Sequence, residues 1–522
     1  MGISPRALPF AFLLSVPLWS QCGGSEPIVT TVAVVQGNGP TSPCTSRVVT
    51  LSGVVTAALP SLSGFFIQDA GDGNPATSDG VFVFTGSSAG LPAAESVVRV
   101  TGRAVEFSRS GYTGSVTEID VRASATTLAR VEVLGRAALP LPAALDPAAD
   151  LEALEGMYVR YGASAVVQPA NRFGEYFTLP YNRLPGSVRP TLGALGGAPP
   201  LEIGAAFRKS PKVYDLVPEL HGVLHFDFGY YRLESVSDYT IDDGGLRPTA
   251  APASPFVASL NTERLLRNIG DAALELKLAK LSVVIRESLR SPALVAVQEV
   301  GDVELLAELG RRAGGYEAVL LRGCDPGGIN TGLLYDPARF SLVSASQIQT
   351  EAPDFRNGRC TLPDGRSFQQ YLYDRPPLVV ELLQDTAPLT VIVNHWRSQI
   401  GDTFRERVAG AQYLASRITA LGARRLIALG DFNDVEYSQA VLALEKEAGL
   451  LNVTTRAPWY DRYSLIFEGV SLCYDHILTD AVLAGRLQRS GYAHVNADFP
   501  PDSSARSPVR AADHDNPWVI FR

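Results

Sequence analysis

The chain has 522 residues with 46% apolar and 19% charged residues, which excludes a disordered or fibrous chain and predicts several globular domains. A net charge of −9 excludes general electrostatic affinity for polyanions, so any nucleic acid would have to meet a local basic patch. Forty-seven glycines and 36 prolines favour turn-rich β structure over long helices.

Residues 1–22, with Arg6 ahead of an apolar run, have the length and charge of an export signal rather than of a mature membrane span. Export, to the extracellular space or the outer membrane, is expected. Cys22, followed by "GGSEP", resembles the lipidated cysteine and tether of a bacterial lipoprotein, while the preceding "WSQ" suits that pattern poorly. A lipid anchor at Cys22 and free secretion are both left open. Of the other cysteines, Cys324 and Cys360 lie in loop-like sequence and are the expected disulfide pair.

Residues 28–125 carry short alternating strands ("VVTLSGVVT", "GFFIQD", "GVFVFTG", "VVRVTGRAVEF") separated by turn residues, and predict a small β-barrel or sandwich. Residues 126–245 read as a second β-rich domain, in which His221 and His225 are taken as structural, and 246–255 as a linker. From 256 to 522 strands mix with helices over 271–290 and 404–420, the texture of an α+β domain.

In that last domain polar residues stand at the ends of separate apolar strands. Asn261 follows "FVAS", Glu299 follows "ALVAVQ" and His395 follows "LTVIVN". Asp431 and Asn433 follow "LIAL", Asp475 and His476 precede "ILTD", and Asp513, His514 and Asp515 precede "NPWVIF". Strand ends gather into pockets in layered sheets. Carboxylates and carboxamides suit a hard divalent cation, magnesium or calcium, rather than zinc. Two histidines, each with an aspartate to orient it, suit proton transfer near neutrality. With no serine elbow or reactive cysteine, the set points to metal-assisted hydrolysis of a phosphate ester.

The motifs "QEV", "NHWRSQ", "GDFND", "YDHIL" and "ADHDNPWVIF", in this order, resemble the endonuclease/exonuclease/phosphatase superfamily with its DNase I-like fold. The text around "GFFIQDAGDGNPATSDGVFVF" and "LEALEGMYV" is similar to the leading β domains, the first OB-like, of large bacterial extracellular nucleases in that superfamily. The resemblance implies a C-terminal two-sheet α/β sandwich after two small all-β domains. It implies a divalent cation (Mg2+, with Ca2+ or Mn2+ as alternatives) held by Glu299, Asn261 and Asp513. His514, oriented by Asp475, would take the proton of the attacking water or hold the phosphate. His395 would contact the phosphate and assist the leaving oxygen, and Asp431 with Asn433 would position water and phosphate. Asn330 in "GGIN" stands where relatives carry "RGID" and is implied to bind substrate, and Arg397 in "HWRSQ", with Arg405 and Arg407, is a candidate for DNA backbone. The activity implied is hydrolysis of DNA, RNA included as a further substrate. A phosphatase or lipid phosphodiesterase on the same fold is the alternative, and an inactive binding module the third reading.

Overall fold

The computed structural model describes residues 22–181, 199–349, 372–401 and 403–522. Contacts divide the chain into two compact units. One comprises Met1–Ala163, Leu201–Arg208 and Val217–Thr240; the other comprises Ser164–Pro200, Lys209–Leu216 and Ile241–Arg522. The segment 126–245 is therefore shared, with Tyr158–Tyr161, Leu220–Asp227 and Tyr230–Ser235 in the first unit and the hairpin of Ser164–Gln168 and Tyr176–Pro180 in the second.

In the first unit, strands Val48–Leu59, Gly64–Gln68, Gly80–Phe84, Val116–Asp120 and Ser96–Phe107 pair in that order, and the last pairs back with the first. Five strands thus close on themselves. Alternation sends Val49, Leu51, Phe65, Ile67, Val81, Val83, Val98, Val100 and Ile119 into one apolar interior. Their sequence neighbours Phe66 and Phe82 point the other way, where Val223 joins them. Cys22 is disulfide-bonded to Cys44, with 5.4 Å between the Cα atoms, and both sulfurs are buried with this interior. This corrects the lipid-anchor reading of Cys22, because a sulfur committed to a disulfide cannot also carry a thioether-linked lipid. Cys324 is also disulfide-bonded, Cys360 lies outside the described residues, and Cys473 is a buried free thiol.

The second unit holds two six-stranded sheets face to face. One runs in the order Glu317–Leu320, Asn330–Tyr335, Leu294–Val300, Val257–Leu265, Asn516–Phe521, Leu487–Ala493. The other runs Ser341–Gln347, Leu378–Gln384, Ala387–His395, Leu426–Asp431, Asp475–Thr479, Leu451–Asn452. Near-continuous apolar runs make the central strands, since both of their faces are buried. Val257, Leu294 and Val519 of the first sheet meet Val391, Val393, Leu429 and Ile477 of the second in a shared core. The odd-even partners cover the outsides. Leu260 and Val295 pack under helices Asp271–Val283 and Val303–Ala313, and Ile392 and Ala428 under Phe404–Leu421 and Gln439–Ala448. The result is a four-layer helix–sheet–sheet–helix sandwich, the C-terminal architecture expected from sequence.

The helices end where local chemistry says they should. Asp302 accepts from Leu305 N at 2.8 Å and Ser438 from Val441 N at 3.2 Å, capping two N-termini, and Gly449 closes the second helix at φ +68°. No helix among the described residues is long and apolar enough to cross a membrane.

The Cys22–Cys44 bridge closes a loop with a sequence separation of 22. Replacing Cys44→Ser is expected to lower the stability of the first unit by about 3 kcal/mol through the freed unfolded chain. Denaturant unfolding without reductant, wild type beside variant, measures it.

Candidate active site

Three neighbouring strands of the second sheet deliver the centre of the site. His395 is the register partner of Asp431 across a parallel pair, and Asp431 is the partner of Asp475 across an antiparallel pair. Side chains in such a row share a face. The face is the inner one, because His395 lies two residues beyond Val393, Asp431 two beyond Leu429 and Asp475 two before Ile477, all of the inter-sheet core. Where the apolar filling stops, the row turns polar at the mouth of the gap between the sheets. The opposite sheet contributes Asn261, whose Nδ2 donates to Asp431 Oδ2 at 3.0 Å and to Glu299 Oε1 at 3.5 Å.

Local backbone supports this placement. Gly430 has φ +134°, and a Cβ there would stand 2.1 Å from Asn394 O, so only glycine lets the two strands approach at this point. Glu299 and Asn433 hold left-handed backbone at φ +63° and +48°, and Glu263 and Arg264 do the same beside Asn261. Four non-glycine residues in a sparsely populated region, all around one pocket, are strain stored at a functional site.

The hydrogen bonds assign each group a partner. Asp431 Oδ1 accepts from Asn433 N at 2.8 Å, while the Asn433 amide donates to Trp396 O at 3.0 Å. His514 Nδ1 is 2.7 Å from Asp475 Oδ2, a buried pair that fixes the ring. His395 Nε2 lies 3.6 Å from Asp431 Oδ2 and 3.8 Å from Glu299 Oε1, and its Nδ1 has no partner. The expectation that an aspartate orients each histidine therefore holds for His514 and not for His395, which is placed by its strand.

Electrostatics separate the two imidazoles. Burial would lower His514, but the charges of Asp475, Asp431 and Asp513 outweigh it and hold its pKa well above the ordinary value. His395 is held well below, by burial and then by the Arg375 and His514 charges. Burial pushes Asp431 up to about 7 against the opposing His514 charge, and Glu299 is raised by burial and by Asp513. At neutral pH the site therefore holds a charged His514 and a neutral His395.

Asp431, Asp475 and His514 place one ligand-capable atom each within 4.8 Å of one another. Asp475 Oδ1 is buried without a hydrogen-bond partner, and Glu299 and Asp513 repel each other across the same space. An oxygen-rich set with an orphaned carboxylate oxygen fits a hard divalent cation.

Three residues read as substrate contacts are placed otherwise. The amide of Asn330 accepts from Gly323 N at 2.7 Å and donates to Gly301 O at 3.0 Å, so it braces a loop and is spent. Arg397 pairs with Asp374 at 2.8 Å. Arg407 is buried and paired with Asp434 at 3.1 Å, away from any backbone phosphate.

Sequence reading missed the residues behind the front row. Ser464 Oγ accepts from Asp475 N at 3.1 Å and Tyr474 N at 3.2 Å, and Ser464 O accepts from Asp515 N at 2.7 Å. One serine thus ties the strand that carries Asp475 to the turn that carries His514. Asn496 donates to His514 O at 2.6 Å and accepts from Ala511 N at 2.9 Å. Asp515 takes Val495, Asn496 and Ala497 N–H groups on one oxygen and His494 Nδ1 at 2.8 Å on the other, which makes the last aspartate of "DHD" a loop organiser. Arg375 donates to His395 O at 3.2 Å and Trp396 O at 2.6 Å. "DHD" was the one available signal; a lone serine or asparagine in a loop gives none.

No protein-family model matches this chain, and no curated protein matches it. Among solved structures it is similar to an endonuclease/exonuclease/phosphatase family protein from Bacteroides thetaiotaomicron (19% identity, TM-score 0.38, 50% of this chain and 92% of that one). It is similar to a mannosyl-6-phosphatase from the same organism (18%, TM-score 0.39, 51% and 98%). A third is D. rerio TDP2 complexed with single strand DNA product (16%, TM-score 0.37, 51% and 98%). Half of the chain resembles endonuclease/exonuclease/phosphatase proteins; the sandwich and the site rest on strand order and distances, not on these scores.

Asp475→Asn removes the charge that holds His514 protonated. The His514 imidazole should titrate at lower pH in the variant than in wild type, followed by NMR of the ring protons. Wild type keeps the stability from this pair below the ordinary histidine pKa and loses it as pH rises through the raised folded value.

Proposed function

We propose that the second unit is a divalent-cation-dependent phosphodiesterase whose substrate is DNA, with RNA as a further substrate. The observation that carries the reading is the His395–Asp431–Asp475 row with His514 locked to Asp475, facing Glu299 and Asn261 from the opposite sheet.

Glu299, Asn261 and Asp513 would hold the cation. It would polarise the phosphoryl group and stabilise its developing charge. The protein's own groups divide the rest. Asp431, fixed by Asn433 N and Asn261 Nδ2 and with a pKa near neutrality, takes the proton of the attacking water. His514, charged and oriented by Asp475, pairs with a phosphate oxygen, which makes it the phosphate holder of the two roles open to it. Neutral His395 donates one hydrogen bond to the phosphate from the side of Asp431 and Glu299 and assists the leaving oxygen. Nothing in these contacts reads the groups attached to phosphorus.

The proposal includes export. Its support is the apolar N-terminal run of the sequence and the Cys22–Cys44 disulfide, which requires that Cys22 stay in the exported chain and which an oxidising compartment keeps closed. It also includes the OB-like reading of residues 28–125, supported by five strands that close into a barrel.

Mature protein incubated with supercoiled plasmid, magnesium and calcium should nick and linearise it, and EDTA should abolish this. Asp431→Ala and Asp475→Asn should each lower the rate by about 10²–10³, the scale of losing a group aimed at the reacting centre. Cleavage of small phosphate monoesters or choline-phosphate lipids, with plasmid left intact, would instead make this a phosphatase or lipid phosphodiesterase. A folded protein inactive on every substrate would make it a binding module.

A further inference from the structure

The first unit has a second polar centre, on the outer wall of its barrel. Strand Val116–Asp120 sends Ile119 into the barrel core and Glu118 to the opposite face. On that face lie Phe82 and Phe84, and strand Leu220–Asp227 adds His225 and Asp227. Together with Phe107, Phe226, Arg109 and Arg122 they line a cavity of about 290 Å³, the small end of the range for ligand sites.

The Glu118 carboxylate and Nδ1 of His225 have no hydrogen-bond partner among the described residues. Glu118 is 6% exposed, and no hydrogen bond to its carboxylate occurs among the described residues. His225 is 4% exposed with Nδ1 unpaired. The two arginines are not available to Glu118. Arg122 grips Asp120 with Nε at 3.0 Å and Nη2 at 2.7 Å, and its guanidinium lies 4.7 Å over the Phe84 ring. Arg109 forks onto Asp227, with Nη2 at 2.9 Å, and lies 4.1 Å over Phe228. Glu106, the other nearby acid, is taken up by Ser42 N and by the Thr117 and Ser115 hydroxyls. One carboxylate without a hydrogen-bond partner remains among phenyl rings.

A buried carboxylate without a partner is costly, and a ligand that brings both a charge and N–H donors removes that cost. Phenyl faces attract the same kind of ligand. Phosphate and carboxylate ligands are disfavoured, since both guanidinium forks are already occupied by aspartates. We propose that this cavity binds a small organic ammonium ion, its N–H groups on Glu118 and its hydrocarbon body against Phe82, Phe84, Phe107 and Phe226. The site is separate from the phosphoryl chemistry of the second unit and does not depend on it.

Burial, with the Asp120 charge adding and Arg122 opposing, lifts Glu118 to about 7, and the neighbouring His225 is kept neutral. Binding of a cation should therefore drive a proton off Glu118. Isothermal titration of the whole chain with 2-phenylethylammonium at pH 7, repeated in buffers of different ionisation enthalpy, is expected to show saturable binding with release of about half a proton. Glu118→Gln should weaken binding about tenfold or more and abolish the proton release, while leaving plasmid cleavage unchanged. Phe107→Leu, at the 43% exposed rim, should weaken binding with Glu118 intact, and decides the matter if Glu118→Gln proves unfolded by thermal melting. Guanosine binding in place of the amine, amine binding unaffected by either variant, or no binding of the amine at all overturns the proposal.

Discussion

Negative charge gathered where two sheets part is the constraint on which the second unit's chemistry depends. Glu299, Asp431, Asp475 and Asp513 converge on a space whose nearest imidazolium is His514. Each carboxylate would be costly there alone, and the surrounding structure is arranged to hold them. Asn261 and Asn433 supply N–H donors to Asp431, Asp475 spends one oxygen on His514, and the repulsion from Asp513 that adds to burial in raising Glu299 makes the pocket attractive to a cation. Stability is traded locally for a field, a common arrangement at sites with shifted pKa values.

The backbone makes this arrangement sharp. Register, rather than side-chain reach, aligns His395, Asp431 and Asp475, so a slip of one residue would turn all three away from the gap. The left-handed conformations at Glu299 and Asn433 occur just where a strand stops being a strand, and Gly430 lets the neighbouring backbone close in. Behind that row Ser464, Asn496 and Asp515 hold the His514 turn against the strand of Asp475 through backbone groups alone. That layer sets the direction of the imidazole without touching its ring.

The front row was legible because it follows periodic apolar strands. "LTVIVNH", "LIALGDFND" and "YDHILT" show where burial ends and polarity begins, and alternation then assigns the face. The two-sheet sandwich was legible for the same reason. Asn330, Arg397 and Arg407 were misread because sequence shows a residue's chemistry and not its partner: an amide on loop carbonyls, a guanidinium on Asp374 and another on Asp434 look the same in text as ones that await a phosphate. The disulfide of Cys22 was not legible for a related reason, since its partner Cys44 is named only by proximity in space. Ser464 and Asn496 carry no periodic signal at all. Glu118 breaks the apolar reading of its face, but that face became visible only once strand Leu220–Asp227 was seen to cover it.

Strand Asn516–Phe521 sits inside its sheet, between Val257–Leu265 and Leu487–Ala493, with Val519 paired to Val257. Without residues 516–521 the sheet that carries Asn261 and Glu299 has no partner on that side of Val257–Leu265, and His514 lies in the same stretch. The strand that completes this sheet thus also carries, two residues before it begins, the imidazole that Asp475 holds.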